Sequence, residues 1–236
     1  MQLDERLGLA YDLYEDCDLA ADIGTDHGYL PLALLRSGKC RRMILTDVSP
    51  DALDNARSHL SMTRMRDRAE LRVGWGLEPI GEACGMISIL GMGGRIIQEI
   101  LEKGQERLRG AKLLLSPHTE PHQVRYAVMT IGYHLEKEIP CRAAGRLYLM
   151  MVAAPGAESL SQEEMRRGRR LMENGSPLLT DYLAQRLKWT ESQISGLRTA
   201  RKKLYQGYQE ALDRAEADAA YYREMMDAAD QKDQKV

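Results

Sequence analysis

The segment from Ala20 to Pro31 reads Ala-Ala-Asp-Ile-Gly-Thr-Asp-His-Gly-Tyr-Leu-Pro: an apolar run enters a turn with two glycines and leaves it into a helix-like stretch. At the end of a parallel strand, such a turn faces the crevice where open α/β sheets bind ligands. Gly24 and Gly28 let a ligand come close to the backbone, with Asp22 and Tyr29 on either side. The spacing is Asp-x-Gly-x-x-x-Gly, and Asp26 stands where a dinucleotide fingerprint has its middle glycine. A carboxylate there repels a pyrophosphate but tolerates a cofactor with a cationic amino acid end, such as S-adenosylmethionine. Asp47 ends the next apolar run, 23 residues beyond Gly24. An acid at that place accepts both hydroxyls of a ribose, in a nicotinamide or an adenosylmethionine cofactor alike, and capping of the following helix is its other reading.

Two later segments add polar groups at the same rim. Gly91-Met92-Gly93-Gly94-Arg95 follows an apolar run and reads as a strand-to-helix loop whose backbone can pass against a flat ligand. Ser116-Pro117-His118 opens the segment after the next run; Pro117 directs the chain outward, and His118, Glu120, His122 and Arg125 supply donors and acceptors. Two histidines in five residues, with no third Cys or His nearby, do not make a metal site, so no metal is expected. The chain has neither a Gly-x-Ser-x-Gly elbow nor a His-Glu-x-x-His helix, which leaves a hydrolase unsupported.

These residues need a scaffold, and the first 155 residues alternate apolar runs with helix-like stretches as a doubly wound α/β domain does. Strands are expected at Leu19–Ile23, Met43–Thr46, Leu71–Val73, Met86–Leu90, Lys112–Ser116, Glu136–Pro140 and Leu147–Ala153. The last two have no helical stretch between them, which predicts an antiparallel hairpin on one sheet edge. Beyond Pro155-Gly156 the composition turns helical, and Leu183, Leu187, Thr190, Ile194, Leu197, Arg201, Leu204 and Tyr208 recur at spacings of four and three. That pattern predicts a coiled-coil arm, either one long helix or a hairpin folding near Thr199 to Gly207, the hairpin being favoured because a lone long helix leaves its seam unpaired unless the chain dimerises. Residues 1–156 and 157–236 are thus read as two domains.

Of 236 residues, 44% are hydrophobic and 29% charged, with no apolar run long enough for a membrane span. The formal charge of -2 excludes a uniformly basic nucleic-acid coat protein. A local basic patch remains open, because residues 164–203 hold ten Lys or Arg against four acids. Cys17, Cys40, Cys84 and Cys141 form no Cys-x-x-Cys pair, so reduced thiols are expected. Asp4 and Glu5 stand where a secretory signal needs basic then apolar residues, which predicts a cytoplasmic location.

The Ala21–Pro31 string, the Gly91–Gly94 segment, the Pro-containing segment ending at Arg125 and the helical coiled-coil C-terminal region beginning near Gly175-Ser176-Pro177-Leu178-Leu179 together resemble the bacterial TrmK-type tRNA adenine-N1-methyltransferases. The resemblance implies a Rossmann-like class I methyltransferase sheet with a C-terminal coiled-coil domain that binds tRNA. It also implies S-adenosylmethionine as cofactor and N1 of the adenosine at position 22 of tRNA as target. Two departures stand out. Where the family commonly has Gly-Asp-Gly-Leu after the third strand, this chain has Gly74-Trp75-Gly76-Leu77. Where it often has Gln-Pro-Asn after the fifth, Ser116-Pro117-His118 stands, so imidazole or hydroxyl must replace an amide contact to the base.

On that resemblance the cofactor contacts are Asp22, Gly24, Asp26, Gly28, Tyr29, Asp47, Val48, Trp75, Gly76, Gly91, Met92 and Gly93. Adenine N1 has a free lone pair, so the chemistry reduces to alignment and to electrostatic support for charge moving onto the ring. Asp26 either gives that support or holds the cofactor's amino group, while His27 and His118 contact the base. Arg95, Arg125, Arg198, Arg201, Lys202 and Lys203 are expected to meet the RNA of a tRNA partner bound by a monomer.

Overall fold

Strands covered by helices on both faces read as continuous apolar runs, as the central strands of the seven-stranded sheet do here. The computed structural model describes residues 3–25, 27–174, 176–199 and 207–233. Its strands are β1 (Cys17–Ile23), β2 (Cys40–Asp47), β3 (Ala69–Val73), β4 (Met86–Gly93), β5 (Lys112–Thr119), β6 (Tyr133–Ala143) and β7 (Arg146–Pro155), ordered β3-β2-β1-β4-β5-β7-β6. The first five run parallel. β7 lies antiparallel to both β5 and β6, which gives the expected edge hairpin. Strand order reverses between β1 and β4, so the crevice beyond their C-terminal ends is the switch point of the sheet.

The helices of this part are α1 (Glu5–Leu13), α2 (Tyr29–Ser37), α3 (Pro50–Ser61), α4 (Gly94–Lys103), α5 (Gln105–Leu108), α6 (Pro121–Thr130), α7 (Gln162–Arg167) and α8 (Arg169–Asn174). Local chemistry sets several of their starts. Asp4 caps α1 by accepting from Leu7 N at 2.7 Å, Ser49 caps α3 ahead of Pro50, and a capping box between Ser161 and Glu164 opens α7. Leu34, Leu35, Leu45 and Ile87 are fully buried between helices and sheet, each contributing about 1.5–3 kcal/mol relative to exposure. The chain has no Phe, so aliphatic side chains and Met fill most of this core, with Tyr14 as an aromatic member.

Three features differ from the sequence reading. Gly91–Gly93 is not a loop: it extends β4 through an irregular register, Met92 opposite Pro117 and Gly93 opposite Thr119, and α4 starts at Gly94. Pro117 accordingly lies inside β5, and the chain leaves the sheet only at Pro121, the first residue of α6. The chain divides after Asn174, into Met1–Asn174 and Gly175–Val236, and not after residue 156. The physical reason is a set of bonds that fastens α7 and α8 to the sheet. Buried Arg125 donates from Nε to Glu138 at 2.6 Å and from Nη1 to Met165 O at 2.8 Å, and Arg170 bonds Leu135 O and Glu158.

The second unit consists of α9 (Leu179–Thr199) and α10 (Tyr208–Asp233). Arg198 pairs with Glu216 and Arg223 with Glu191, both at 2.6 Å, so the two helices run antiparallel as a hairpin. Leu183, Thr190 and Ile194 of the seam are buried, with Ala219 and Tyr222 of α10. The seam positions Arg201 and Leu204 lie outside the described residues. Among the described residues no helix is long and apolar enough to cross a membrane.

Candidate cofactor and substrate cleft

A cavity of about 280 Å³ opens beyond the C-terminal ends of β1, β4 and β5, lined by Asp22, Gly24, Thr25, His27, Gly28, Tyr29, Gly91 and His118 and by Arg6 and Leu7 of α1. Its floor follows from strand register. Asp22 of β1 lies opposite Ser88 of β4, so both side chains leave the same face and Ser88 Oγ donates to Asp22 Oδ1 at 2.6 Å. With its proton so used, Ser88 accepts from the buried Tyr14 hydroxyl at 3.0 Å. Burial pushes the Asp22 carboxyl above the usual range, an effect eased by Ser88 and Thr25 and reinforced by Asp47. The Thr25 hydroxyl is near enough to ease that charge, yet it meets no partner in hydrogen-bond geometry among the described residues. A buried carboxylate beside an unsatisfied hydroxyl on a cavity wall suits a ligand that brings a cation and hydrogen-bonding groups.

Backbone bonds hold the turn above this floor, since Gly24 N and Thr25 N donate to Thr46 O at 2.7 and 3.0 Å. Gly28 starts α2 in the left-handed region, at φ 66°, where a Cβ would also stand 3.2 Å from Ala56 Cβ. Three rings stand on the rim: His27 stacks on Tyr29 at 5.2 Å and Tyr29 on His59 at 5.0 Å. His59 Nδ1 lies 2.9 Å from His27 O and donates to it, fixing the turn from α3.

Across the cavity, Arg6, His118 and Tyr148 meet over Gly91. The Arg6 guanidinium lies 5.2 Å from the Tyr148 ring centre, and Arg6 Nη1 is 3.5 Å from His118 Nε2. A Cβ on Gly91 would stand 3.3 Å from Arg6 Nη1 and 3.5 Å from His118 Nε2, so the bare backbone lets these groups converge. Burial, with the Arg6 and Arg146 cations, pushes the His118 imidazole below its ordinary value. The neutral ring accepts from Arg6 at Nε2 and carries its proton on Nδ1.

The remaining expected residues fall in five groups. Asp26 lies outside the described residues, as do Arg201, Lys202 and Lys203. Asp47 and Val48 stand one strand outward on the same rim, where Asp47 Oδ1 accepts from Ser49 N at 2.8 Å and Val48 is 62% exposed. Trp75, Gly76, Met92 and Gly93 are not among the residues that line this cavity: Lys103 sits 5.0 Å over the Trp75 ring, Gly76 packs on Ile100, Met92 lies over Gly24 and Gly93 caps α4. Arg95 and Arg198 are exposed and paired with Glu120 and Glu216. Arg125 corrects the sequence reading. It is 1% exposed and its guanidinium faces Glu138 and the α7 carbonyls, so it braces the fold and meets no RNA.

Arg6, Tyr14, Thr25, His59, Ser88 and Tyr148 were not singled out from sequence, because register and helix packing bring them to the cleft. One local signal was available: Asp4 followed by Leu7, Leu9, Ala10 and Leu13 describes a capped amphipathic helix ahead of the first strand. Among the described residues no group of His, Cys, Asp and Glu is arranged to hold a metal ion.

Residues 20–217 match the protein-family model described as tRNA (adenine(22)-N(1))-methyltransferase. The Bacillus subtilis (strain 168) tRNA (adenine(22)-N(1))-methyltransferase is 31% identical over 159 residues, which span 66% of this chain and 66%, just under two thirds, of that relative. Among solved structures, the B. subtilis m1A22 tRNA methyltransferase TrmK superposes with a TM-score of 0.83 at 24% identity, covering 95% of this chain and 99% of that one. M. capricolum TrmK, solved with the cofactor product S-adenosyl-homocysteine, gives a TM-score of 0.80 at 20% identity over 94% of this chain and 99% of that one. At these identities the superpositions establish the fold, from the sheet through the helical second unit.

Proposed function

The chain belongs to the tRNA (adenine(22)-N(1))-methyltransferase family, and we infer from that membership and from the cleft that it methylates N1 of the adenosine at position 22 of tRNA with S-adenosylmethionine as donor. The observation that carries this reading is the buried Asp22 carboxylate beside the unsatisfied Thr25 hydroxyl, at the strand ends where a parallel sheet binds its ligand. Asp22, Gly24, Thr25, Gly28 and Tyr29 would hold the amino acid end of the cofactor, and Asp47 with Val48 its ribose. Gly91 on the cavity wall is a further proposed contact, and Trp75, Gly76, Met92 and Gly93, which lie outside that lining, are proposed to meet the part of the cofactor that extends beyond it. Bound S-adenosylmethionine supplies a methyl group already made electrophilic by its sulfonium.

What remains for the protein is alignment and charge. No side chain has to remove a proton from adenine N1 before transfer, since its lone pair is free, but the ring gains positive charge as the methyl arrives. His118, held neutral, gives the base a hydrogen-bonding edge without adding a like charge. Asp26 supplies the compensating carboxylate in this reading. A paired adenine hides N1, so the base must leave its stack at a cost of about a few kcal/mol, and the His27–Tyr29–His59 rings offer it a new one. The helical hairpin of residues 175–236 is proposed to grip the tRNA body, with the chain acting as a monomer in the cytoplasm.

Incubation with methyl-labelled S-adenosylmethionine and unmodified tRNA, followed by mass mapping, should place the label on N1 of adenosine 22. Label on another nucleotide, or cofactor binding with no methylated tRNA, would overturn the reading. Asp26→Ala should reduce methyl transfer far more than tRNA binding, measured on the same preparation, and equal losses would remove Asp26 from the chemistry.

A further inference from the structure

The first residues of β1 and β2, at the opposite end of the sheet from the cleft, are both cysteines. Cys17 and Cys40 are register partners on adjacent parallel strands, so their side chains leave the same face, and their sulfurs lie 3.5 Å apart. Gly85 makes room for the pair, because a Cβ there would stand 2.6 Å from Cys17 Cβ. Cys17 is half-buried and reachable from solvent, whereas Cys40 lies fully inside. We propose that Cys17 and Cys40 form a dithiol site that reacts with low-molecular-mass disulfides, Cys17 as the attacking thiol and Cys40 as the resolving one. Nothing in the methyl-transfer reading uses either sulfur.

Thiol chemistry separates this pair from the other two cysteines. The S–H of Cys40, donated to the Cys17 sulfur, holds Cys17 below the ordinary thiol range, although burial and the Asp16 and Asp18 carboxylates oppose it. Sharing its proton with Cys17, together with burial, raises Cys40. Cys84 and Cys141 are each pushed up to about 11 by burial and stay protonated.

The reaction proceeds in two exchanges. The Cys17 thiolate attacks one sulfur of R–S–S–R, a Cys17–S–S–R bond forms, and one RS⁻ leaves. Cys40 then gives its proton to solvent and attacks the Cys17 sulfur, forming Cys17–S–S–Cys40 and releasing the second RS⁻. Two protein thiols are oxidised and one small disulfide is reduced to two thiols. The closed loop contains residues 18–39, and so the whole turn from Asp22 to Tyr29.

The probe is oxidised glutathione added to the full-length reduced protein, followed by acid quench, unfolding, alkylation and peptide mass mapping. The wild-type chain should lose two of its four alkylatable thiols and yield a linked Cys17–Cys40 peptide. Cys40→Ser should stop at glutathione carried on Cys17, and Cys17→Ser should carry none. Retention of all four thiols by the wild type, glutathione left on wild-type Cys17, or equal modification of Cys84 and Cys141 would each overturn the proposal.

Discussion

A buried carboxylate is unfavourable for the free protein, and Asp22 shows the direction of that effect. Its pKa in the folded chain lies above the ordinary value, so the folded state holds the proton more tightly than the unfolded one. The favourable contribution is therefore present at pH below the ordinary carboxylate value, about 3.9, and is lost as pH rises through the folded value. Asp22→Asn removes this dependence. Its thermal midpoint relative to wild type, measured without cofactor, should rise as pH increases above about 4, while its affinity for S-adenosylmethionine falls at least tenfold as a charge-assisted contact is lost. A pH-independent difference would refute the account. Asp22 was legible because strand, turn and acid are contiguous in sequence. Its partners Ser88 and Tyr14 were not, since a shared register is a long-range property, and His59 looks like any polar residue late in a helix.

Elements show the same division between local and long-range information. The edge hairpin followed from two expected strands with no helical stretch between them, whereas the continuation of β4 through Gly91–Gly93 depends on its pairing with β5. That pairing separates two adjacent glycines. A Cβ on Gly94 would collide with Glu120 O and stand 2.7 Å from Thr119 O, both rigid backbone, but on Gly93 it would meet Thr119 Oγ1 at an ordinary 3.4 Å. Gly94→Ala should accordingly cost about 1–3 kcal/mol in urea denaturation and Gly93→Ala under about 0.5 kcal/mol, an ordering that equal losses would contradict. The Arg125–Glu138 pair makes a second test of how elements are joined. Arg125→Met leaves Glu138 buried without its cation and should cost about 3–5 kcal/mol by the same measurement, with most of it recovered in Arg125→Met/Glu138→Leu. If the double variant is no better than the single one, the loss comes from the missing bonds to the α7 carbonyls and not from the unpaired Glu138 carboxylate. From sequence Arg125 passed for a surface cation, because its acid stands on the next strand and its acceptor carbonyls some forty residues on.

For the molecule as a whole, a charge count over residues 164–203 overstates the basic surface. Arg167, Arg169, Arg170 and Arg198 pair with Glu163, Glu164, Glu173, Glu158 and Glu216, three of which lie outside that window. Arg186, stacked 4.8 Å over Trp189, and Lys188 have no carboxylate partner among the described residues. Replacing both with Ala should lower the salt slope of tRNA binding by about 1.4–1.8, the loss of two phosphate contacts. Arg198→Ala should lower it less, because Glu216 already neutralises that cation, and the reverse order would place the contact elsewhere. The burial of Asp22 also bears on how long the protein survives in a cell. A ligand that binds only the folded chain stabilises it by about 2.7 kcal/mol at a hundredfold excess over its dissociation constant, which correspondingly shrinks the opened population that proteases degrade. Scarcity of the methyl donor would thus lower the amount of the enzyme as well as its turnover, making abundance itself a readout of donor supply.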